Sequence, residues 1–163
     1  MNLWARIRSL SIGQLWQLSV LFLKHPLYIL PTLRATKRTF EICQNLYGDT
    51  HHKSNRANAF RHALWNMLIC QKTFKISKNE QKAVIFTLKV TDLYEKVTQN
   101  EVLDEAMDLH NNEIGRRHFL KNSTQNEAEL VELLQKMAKK AQKVSKVEEM
   151  NKFQDNLVFI SED

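Results

Sequence analysis

The chain has 163 residues, of which 43% are hydrophobic, with only 3 glycines and 2 prolines. A chain of this length and composition can bury a core without disulfides, and it is too hydrophobic to be disordered. The net charge of +6 is uneven: six of the 24 Lys and Arg lie in residues 1–40, which hold no acid, so eighteen remain against 18 acids. Cys43 and Cys70 lie in helical patterns, which favours unpaired core thiols and a reducing compartment.

Residues 1–48 are predicted to form a basic, apolar helical arm. Aliphatic side chains recur at helical spacing over residues 3–23, which predicts one helix or two, with a possible bend at Gly13. Pro26 and Pro31 predict a non-helical connector, because each proline restricts the residue before it. A further helix is expected over residues 33–47. The arm is therefore expected to be helical on both sides of a proline connector.

Two environments suit this arm. Residues 1–40 could lie on an anionic membrane surface, with Trp4 and Trp16 at the interface, or they could pack on the domain. The apolar run from Leu15 to Leu23 is too short to span a bilayer. Nucleic acid is a poor partner, because the basic residues are few and mixed with aliphatics. We expect a cytoplasmic protein, peripheral at the inner membrane face.

From residue 49 onward the sequence predicts long helices joined by short polar loops. Helices are expected over residues 55–71, 78–98 and 101–120. A capping box at Ser77–Glu80 is expected to open the second of them. No run alternates as a strand would. The predicted fold class is therefore all-α, a single compact domain of about five to six helices.

The end of the chain is predicted to add one more helix and a tail. A second capping box, Thr124–Glu127, opens a helix with an apolar stripe that suits core packing or a partner helix. The stripe consists of Leu130, Leu134, Met137, Ala141 and Val144. We therefore divide the chain into the arm at 1–48, a helical domain with the polar site at 49–150 and a C-terminal tail at 151–163.

A polar face on the helix over 55–71 is the most informative feature of the sequence. Asn58, His62 and Asn66 recur every four residues and so line one helical face. An imidazole among amides suits a general base or a ligand, and a satisfied core histidine is the alternative. Arg61 could bind a phosphate or carboxylate group, or pair with an acid of the chain.

The next helix carries two carboxylates in line with aliphatic residues. Ile85, Leu88, Asp92 and Glu95 fall at offsets of three, seven and ten, which suggests that the carboxylates continue a core-facing line. Burying a carboxylate is costly unless it is paired. Two carboxylates in this arrangement suit a hard metal ion or a proton-transfer pair, and a salt-bridged surface is the alternative.

A third cluster lies on the helix over 101–120. His110 is expected on its apolar face. Gly115 costs about 1 kcal/mol relative to alanine inside a helix, so close helix packing, room for a ligand or a helix end would explain it. The adjacent polar stripe contains Asp108, Asn111, Asn112 and Arg116.

Two motifs in these helices resemble those of a family of small bacterial helical domains of unknown function. The motifs are Asn58-Ala59-x-Arg61-His62-Ala63-x-Trp65 and Met107-Asp108-x-His110-Asn111-Asn112-x-x-Gly115-Arg116. The resemblance covers roughly residues 51–120. Members of that family often carry a histidine–glutamate pair between the motifs, where this chain has Tyr94-Glu95. The resemblance implies a site at these residues without implying a reaction.

Two functions fit this pattern. The first is a hydrolase working by acid–base or metal-assisted chemistry, by analogy on phosphoesters, with a divalent ion as the candidate cofactor. Its catalytic residues would be His62, Asp92, Glu95, Asp108 and His110, and its substrate-binding residues Asn58, Arg61, Asn111, Asn112 and Arg116. The alternative is a non-enzymatic interaction module with a buried structural network. The sequence contains no phosphate-binding glycine loop, GxSxG, HExxH or CxxC motif.

Overall fold

The computed structural model describes residues 11–98 and 101–162, and helices make up most of this part of the chain. The prediction of a compact all-α domain is confirmed. Two 3-10 turns, Gly48–His52 and Val147–Lys152, join some of the elements. The helices are α1 Ile12–Lys24, α2 Pro26–Tyr47, α3 Arg56–Ser77, α4 Glu80–Thr98, α5 Val102–Lys121 and α6 Glu127–Lys139, and two short parallel strands are β1 Gln142–Lys143 and β2 Val158–Phe159.

Helix α3 is the centre of the domain. Every residue from Ala57 to Gln71 is buried, and the helix contacts α2, α4, α5 and α6. Its first turn is capped by Asn55, whose side-chain oxygen accepts hydrogen bonds from the backbone of Ala57 and Asn58. Because neighbours cover α3 on all sides, its polar side chains must find partners inside the protein.

Helices α3 and α5 approach so closely that their backbones nearly touch. A Cβ atom built on Gly115 would lie 2.3 Å from the backbone oxygen of Ala63. Helix α5 continues to Lys121, so a helix end does not explain this glycine. Close packing does, since only two small residues allow such an approach. This contact brings the polar stripe of α5 against His62.

The predicted proline connector is wrong. Helix α2 begins at Pro26 and runs through Pro31, so only His25 separates it from α1. Proline is well suited to the first helical position, where its missing N–H has no intrahelical partner. Pro31 lies one turn further on and costs a single hydrogen bond, to the carbonyl of Leu27. The helix tolerates this loss because tertiary contacts of its later residues hold it on α3.

Two predicted capping boxes are also displaced by two residues. The side chain of Asn79, not Ser77, accepts the capping bond from the backbone of Lys82 at 2.8 Å. Asn126 and Glu129, not Thr124 and Glu127, form the box that opens α6. Asparagine caps a helix as well as serine or threonine does, so each loop offered two competing start points.

The apolar stripe of the last helix packs within the chain itself. Leu130 and Leu134 are fully buried in the main core, and α6 ends at Lys139. The predicted apolar tail also docks on the domain, through the buried strand β2. Cys43 and Cys70 are free and buried. In the part of the chain that the structure describes, no helix is long and apolar enough to cross a membrane; Trp4, Arg6 and Arg8 lie outside that part.

Candidate functional site

His62 lies between two carboxylates in the interior. Its Nδ1 is 3.3 Å from Glu95 Oε1 on α4, and its Nε2 is 3.2 Å from Asp108 Oδ1 on α5. The exposed fractions of the three residues are 3%, 0% and 4%. Three helices thus each contribute one ionisable group to a site closed to bulk water. A low dielectric makes each of these contacts stronger than it would be at the surface.

Arg61 fixes the proton on His62. Its guanidinium Nη2 lies 2.8 Å from His62 Nε2, while its Nη1 donates to the backbone oxygen of His51 at 2.5 Å. Because arginine only donates, Nε2 must accept, and the ring proton then sits on Nδ1. Nδ1 faces Glu95 and the side-chain oxygen of Asn112, at 3.2 Å. In the tautomer that this contact selects, Nε2 directs its lone pair toward Arg61, with Asp108 on the same side of the ring.

The pKa values of the two carboxyls are shifted in opposite directions. Burial alone would raise the pKa of Glu95, but the charge of His62 and hydrogen bonds from His62 and Asn112 outweigh it, so the pKa is lowered. Burial raises the pKa of Asp108 to about 6, and the nearby Glu95 carboxylate adds to this rise although His62 opposes it. When two neighbouring carboxyls have well separated pKa values, the one with the lower pKa acts as the anion and the one with the higher pKa as the acid. Here these are Glu95 and Asp108, respectively.

A second polar network lies next to His62 and joins α3, α4 and α5. Asn66 donates to Asn112 Oδ1 at 2.6 Å and accepts from Thr91 at 3.1 Å and from Arg116 at 2.9 Å. Asn112 in turn donates to Glu95 Oε1 at 3.1 Å. Arg116 also lies 3.7 Å from Asp92 at the edge of the network. These bonds fix the register of three helices and hold Glu95 in place.

A narrow cleft reaches His62 from the side of α2. It has a volume of about 20 Å³, which is room for roughly one water molecule. Apart from Arg61 and His62, its lining is threonine and aromatic: Thr36, Thr39, Phe40, Trp65 and Tyr94. Trp65 is held in place by donating to Thr36 at 2.9 Å. The histidine is therefore buried yet adjacent to a space that one water molecule can occupy.

Five of the ten predicted site residues meet at one point, because Arg61, Glu95, Asp108 and Asn112 all contact the ring of His62. Asn58 is buried one turn before His62 on the same face, and its Oδ1 has no hydrogen-bond partner within the described residues. Arg116 and Asp92 lie one shell further out, in the network around Asn66.

Two predicted residues lie elsewhere. Both amide atoms of Asn111 bond the backbone of Val158, at 2.9 and 3.0 Å, so this side chain anchors β2. His110 is half-buried rather than in the core, and its Nε2 lies 2.9 Å from the backbone oxygen of Asn156. Both residues face the C-terminal segment, which the sequence alone could not place.

The proposed core-facing line on α4 was read in the wrong register. Ile85 and Leu88 are exposed, and Thr87 and Thr91 are fully buried with Glu95. Apolar residues share this buried side, so the threonines lie among them, and the hydroxyl of Thr91 is satisfied by donating to the carbonyl of Thr87. Sequence reasoning missed Thr91 for this reason. His51 is also buried beside the site, and its backbone oxygen accepts a hydrogen bond from Arg61.

The same three residues offer donors for a metal ion. One ligand atom from each of His62, Glu95 and Asp108 lies within 4.8 Å of the others. Oxygen and imidazole donors suit a divalent cation such as Mn²⁺ or Zn²⁺. The carboxylates, however, contact opposite nitrogens of the ring, and the Arg61 guanidinium occupies the one that lacks a proton. This arrangement favours proton transfer over metal ligation.

Comparison with known proteins gives a family and no activity. The model of a family described as a domain of unknown function (DUF6973) matches residues 19–142. The match extends beyond the motif-bearing helices to most of the α-helical domain. No curated protein and no solved structure matches the chain.

Proposed function

The chain belongs to the DUF6973 family, and from its site we propose that it is a hydrolase using metal-free acid–base chemistry at His62. The observation that carries this proposal is the imidazole held between two buried carboxyls of opposite titration behaviour, next to a cleft with room for one water. The two sequence motifs that hold His62 and Asp108, with Glu95 between them, are on this proposal the signature of a bacterial family.

In the proposed reaction, each group has one task. His62 Nε2 takes a proton from water as that water attacks the phosphorus of a phosphoester. Glu95 stays ionised and stabilises the imidazolium that forms at Nδ1. As the bond from phosphorus to the leaving oxygen breaks, Asp108 in its protonated form gives a proton to that oxygen. Arg61 leaves Nε2 when substrate enters and neutralises the phosphoryl oxygens.

The expected result of a screen with soluble phosphoesters is turnover that His62→Ala and Glu95→Gln each reduce by about 10²–10⁴-fold. The rate should fall as pH rises through about 6, because Asp108 then loses the proton it must donate. EDTA should leave the rate unchanged. His110→Ala is the matched control and should retain activity, since His110 lies outside the cluster. Loss of turnover on EDTA treatment would replace the acid–base mechanism by a metal-assisted one.

A second candidate function is a non-enzymatic interaction module. The network around Asn66 favours it, because bonds among Asn66, Thr91, Asn112 and Arg116 are of the kind that fix helix register without chemistry. On this alternative His62 belongs to the same structural network. A folded protein that loses nothing but stability on changing His62 would support it.

We also propose that the protein associates with the inner face of the membrane through residues 1–40. Charge supports this, since that segment holds six basic residues and no acid. Exposed apolar side chains on α1 and the start of α2 also support it, and they are Ile12, Trp16, Leu23, Leu27 and Leu30. Flotation with anionic and with neutral vesicles distinguishes this association from simple packing of a basic arm.

A further inference from the structure

We propose that helix α2 is a lid that swings away from α3 and opens the cleft at His62 to substrate. This inference rests on the proposed hydrolase function and names how access to that site is controlled. With α2 in place, the cleft has a volume of about 20 Å³, so it holds about one water molecule and no phosphoester. One wall of the cleft must therefore move before a substrate can reach Arg61 and His62.

The helices α4 and α5 are fixed on α3. Both of them contact α3, and they also contact each other. Arg116 of α5 donates to Asn66 of α3 and to Thr91 of α4, inside the core. The close approach of Gly115 to the backbone of Ala63 holds α5 on α3 as well. Moving either helix would leave buried polar groups without partners, which is costly.

Helix α2, in contrast, is a single layer on α3. Among the described helices, only α3 contacts it extensively. The buried side of α2 contains three threonines, each of whose hydroxyls donates to a backbone carbonyl one turn earlier in α2: Thr32, Thr36 and Thr39. Because these donors are satisfied within the helix, α2 can part from α3 without leaving them unpaired.

A hydrogen bond beside the cleft latches α2 to α3. The indole Nε1 of Trp65 donates to Thr36 Oγ1 at 2.9 Å, and both residues line the cleft. An ion pair of 2.7 Å between Arg38 and Glu127 also ties α2 to α6, but it is open to solvent and therefore weak. We infer that the bond from Trp65 to Thr36 holds the lid closed.

The ends of α2 suit a hinge. Only His25 separates α2 from α1, and the other end of α2 is capped by Gly48, whose φ is +55°. A Cβ built on Gly48 would meet no atom within 4 Å, so this turn is not packed against other groups. Hinges are usually a few residues at the ends of elements, where a change in φ and ψ disturbs little packing.

Two buried cysteines distinguish opening of α2 from unfolding of the whole domain. Cys43 lies on the buried side of α2, and Cys70 lies on α3, where its thiol donates to Thr87 of α4 at 3.3 Å. Burial raises the pKa of both thiols to about 12, and the nearby Arg61 opposes this rise at Cys43. Both thiols are therefore unreactive while they are buried. Opening of α2 would expose Cys43 and leave Cys70 buried.

The test measures how fast iodoacetamide labels each thiol of the full chain under native conditions, followed by mass spectrometry of the peptides. In the parent we expect Cys43 to be labelled at least about tenfold faster than Cys70, because opening one helix costs less than unfolding the domain. The rate at Cys43 should also rise less steeply with low urea, since local opening exposes less surface. Diethyl pyrocarbonate, which acylates neutral imidazole and is larger than water, should modify His62 with the same urea dependence as Cys43.

Two variants test the latch. Thr36→Val keeps the branched shape and removes the acceptor of the Trp65 indole, which then finds a partner in water only when α2 is open. We expect it to raise the labelling rate at Cys43 by about tenfold, and an unchanged rate would overturn the latch. Thr32→Val is the matched control, since Thr32 is as buried as Thr36 and its hydroxyl donates within α2, to the carbonyl of Tyr28. Its rate should stay within about twofold of the parent.

The outcomes separate the lid from the hydrolase. Preferential labelling of Cys43, faster in Thr36→Val and unchanged in Thr32→Val, supports the lid. Equal rates with equal urea dependence at Cys43 and Cys70 overturn it, because α2 would then leave α3 only when the domain unfolds. Protection of His62 while Cys43 is labelled overturns the role of α2 as the gate to the site. Labelling needs no turnover, so labelling of Cys43 and His62 without hydrolysis of any soluble phosphoester overturns the hydrolase and supports the opening of α2.

Discussion

Replacing Gly115 with alanine is expected to destabilise the protein by about 3 kcal/mol, or about 6–12 °C in melting temperature for a chain of this length. The added Cβ would lie 2.3 Å from the backbone oxygen of Ala63, and backbone cannot rotate aside as a flexible side chain can. Helices α3 and α5 would have to separate, which would also pull Asp108 away from His62. The melting temperature and the rate of the proposed hydrolysis should therefore decline together.

Gly13→Ala is the control for that change. A Cβ there would meet only the Ser11 hydroxyl, at 4.0 Å, and Gly13 lies inside α1. Alanine should therefore be neutral or stabilise by up to about 1 kcal/mol. An unchanged melting temperature for Gly115→Ala would mean that α3 and α5 are not packed as closely as described.

The second large effect is expected for Asn66→Ala. Asn66 is fully buried and bonds His62, Thr91, Asn112 and Arg116, so its loss leaves the guanidinium of Arg116 short of an acceptor in the interior. We expect a loss of about 3–5 kcal/mol in the free energy of unfolding, measured with urea.

The exposed Asn156→Ala is the matched control for Asn66→Ala and should stay within about 0.5 kcal/mol of the parent. If Asn66→Ala lowers the free energy of unfolding by less than about 1 kcal/mol, the network around Asn66 does not fix the register of the helices.

Much of the helical content could be predicted from sequence because few residues interrupt it. The starts of α4 and α6 could not, because adjacent Ser/Thr and Asn residues compete to cap the same turn. The path of α2 could not be predicted from the sequence either. A proline-rich stretch is compatible with a helix that begins at Pro26, and only the packing of its later residues on α3 decides between the two.

The meeting of His62, Glu95 and Asp108 was accessible from sequence because helical spacing puts each polar group on a definable face. The same argument failed for Asn111, which lies one residue before Asn112 and so points about 100° away, toward β2. It also failed on α4, where Ile85 and Leu88 were expected to be buried and are exposed. Periodicity identifies a face, and tertiary neighbours determine what that face meets.

The central claim is that the cluster at His62 is kept for chemistry and not for stability, and Asp108 tests it. The pKa of its carboxyl rises from 3.8 to about 6 on folding. A pKa raised on folding means that the contribution to stability is complete below about 4 and is lost as pH rises through about 6. This loss amounts to about 3 kcal/mol. An asparagine side chain is uncharged at every pH and therefore mimics the protonated carboxyl of Asp108.

The most direct measurement is the urea unfolding free energy of Asp108→Asn and the parent between pH 4 and pH 8, with the exposed Asp155→Asn as the control. We predict that Asp108→Asn is more stable than the parent by about 2–3 kcal/mol at pH 8, with the difference falling toward zero near pH 4. An Asp108→Asn variant clearly less stable than the parent at pH 8 would contradict the account, because Asp108 would then be a structural ion-pair partner of His62.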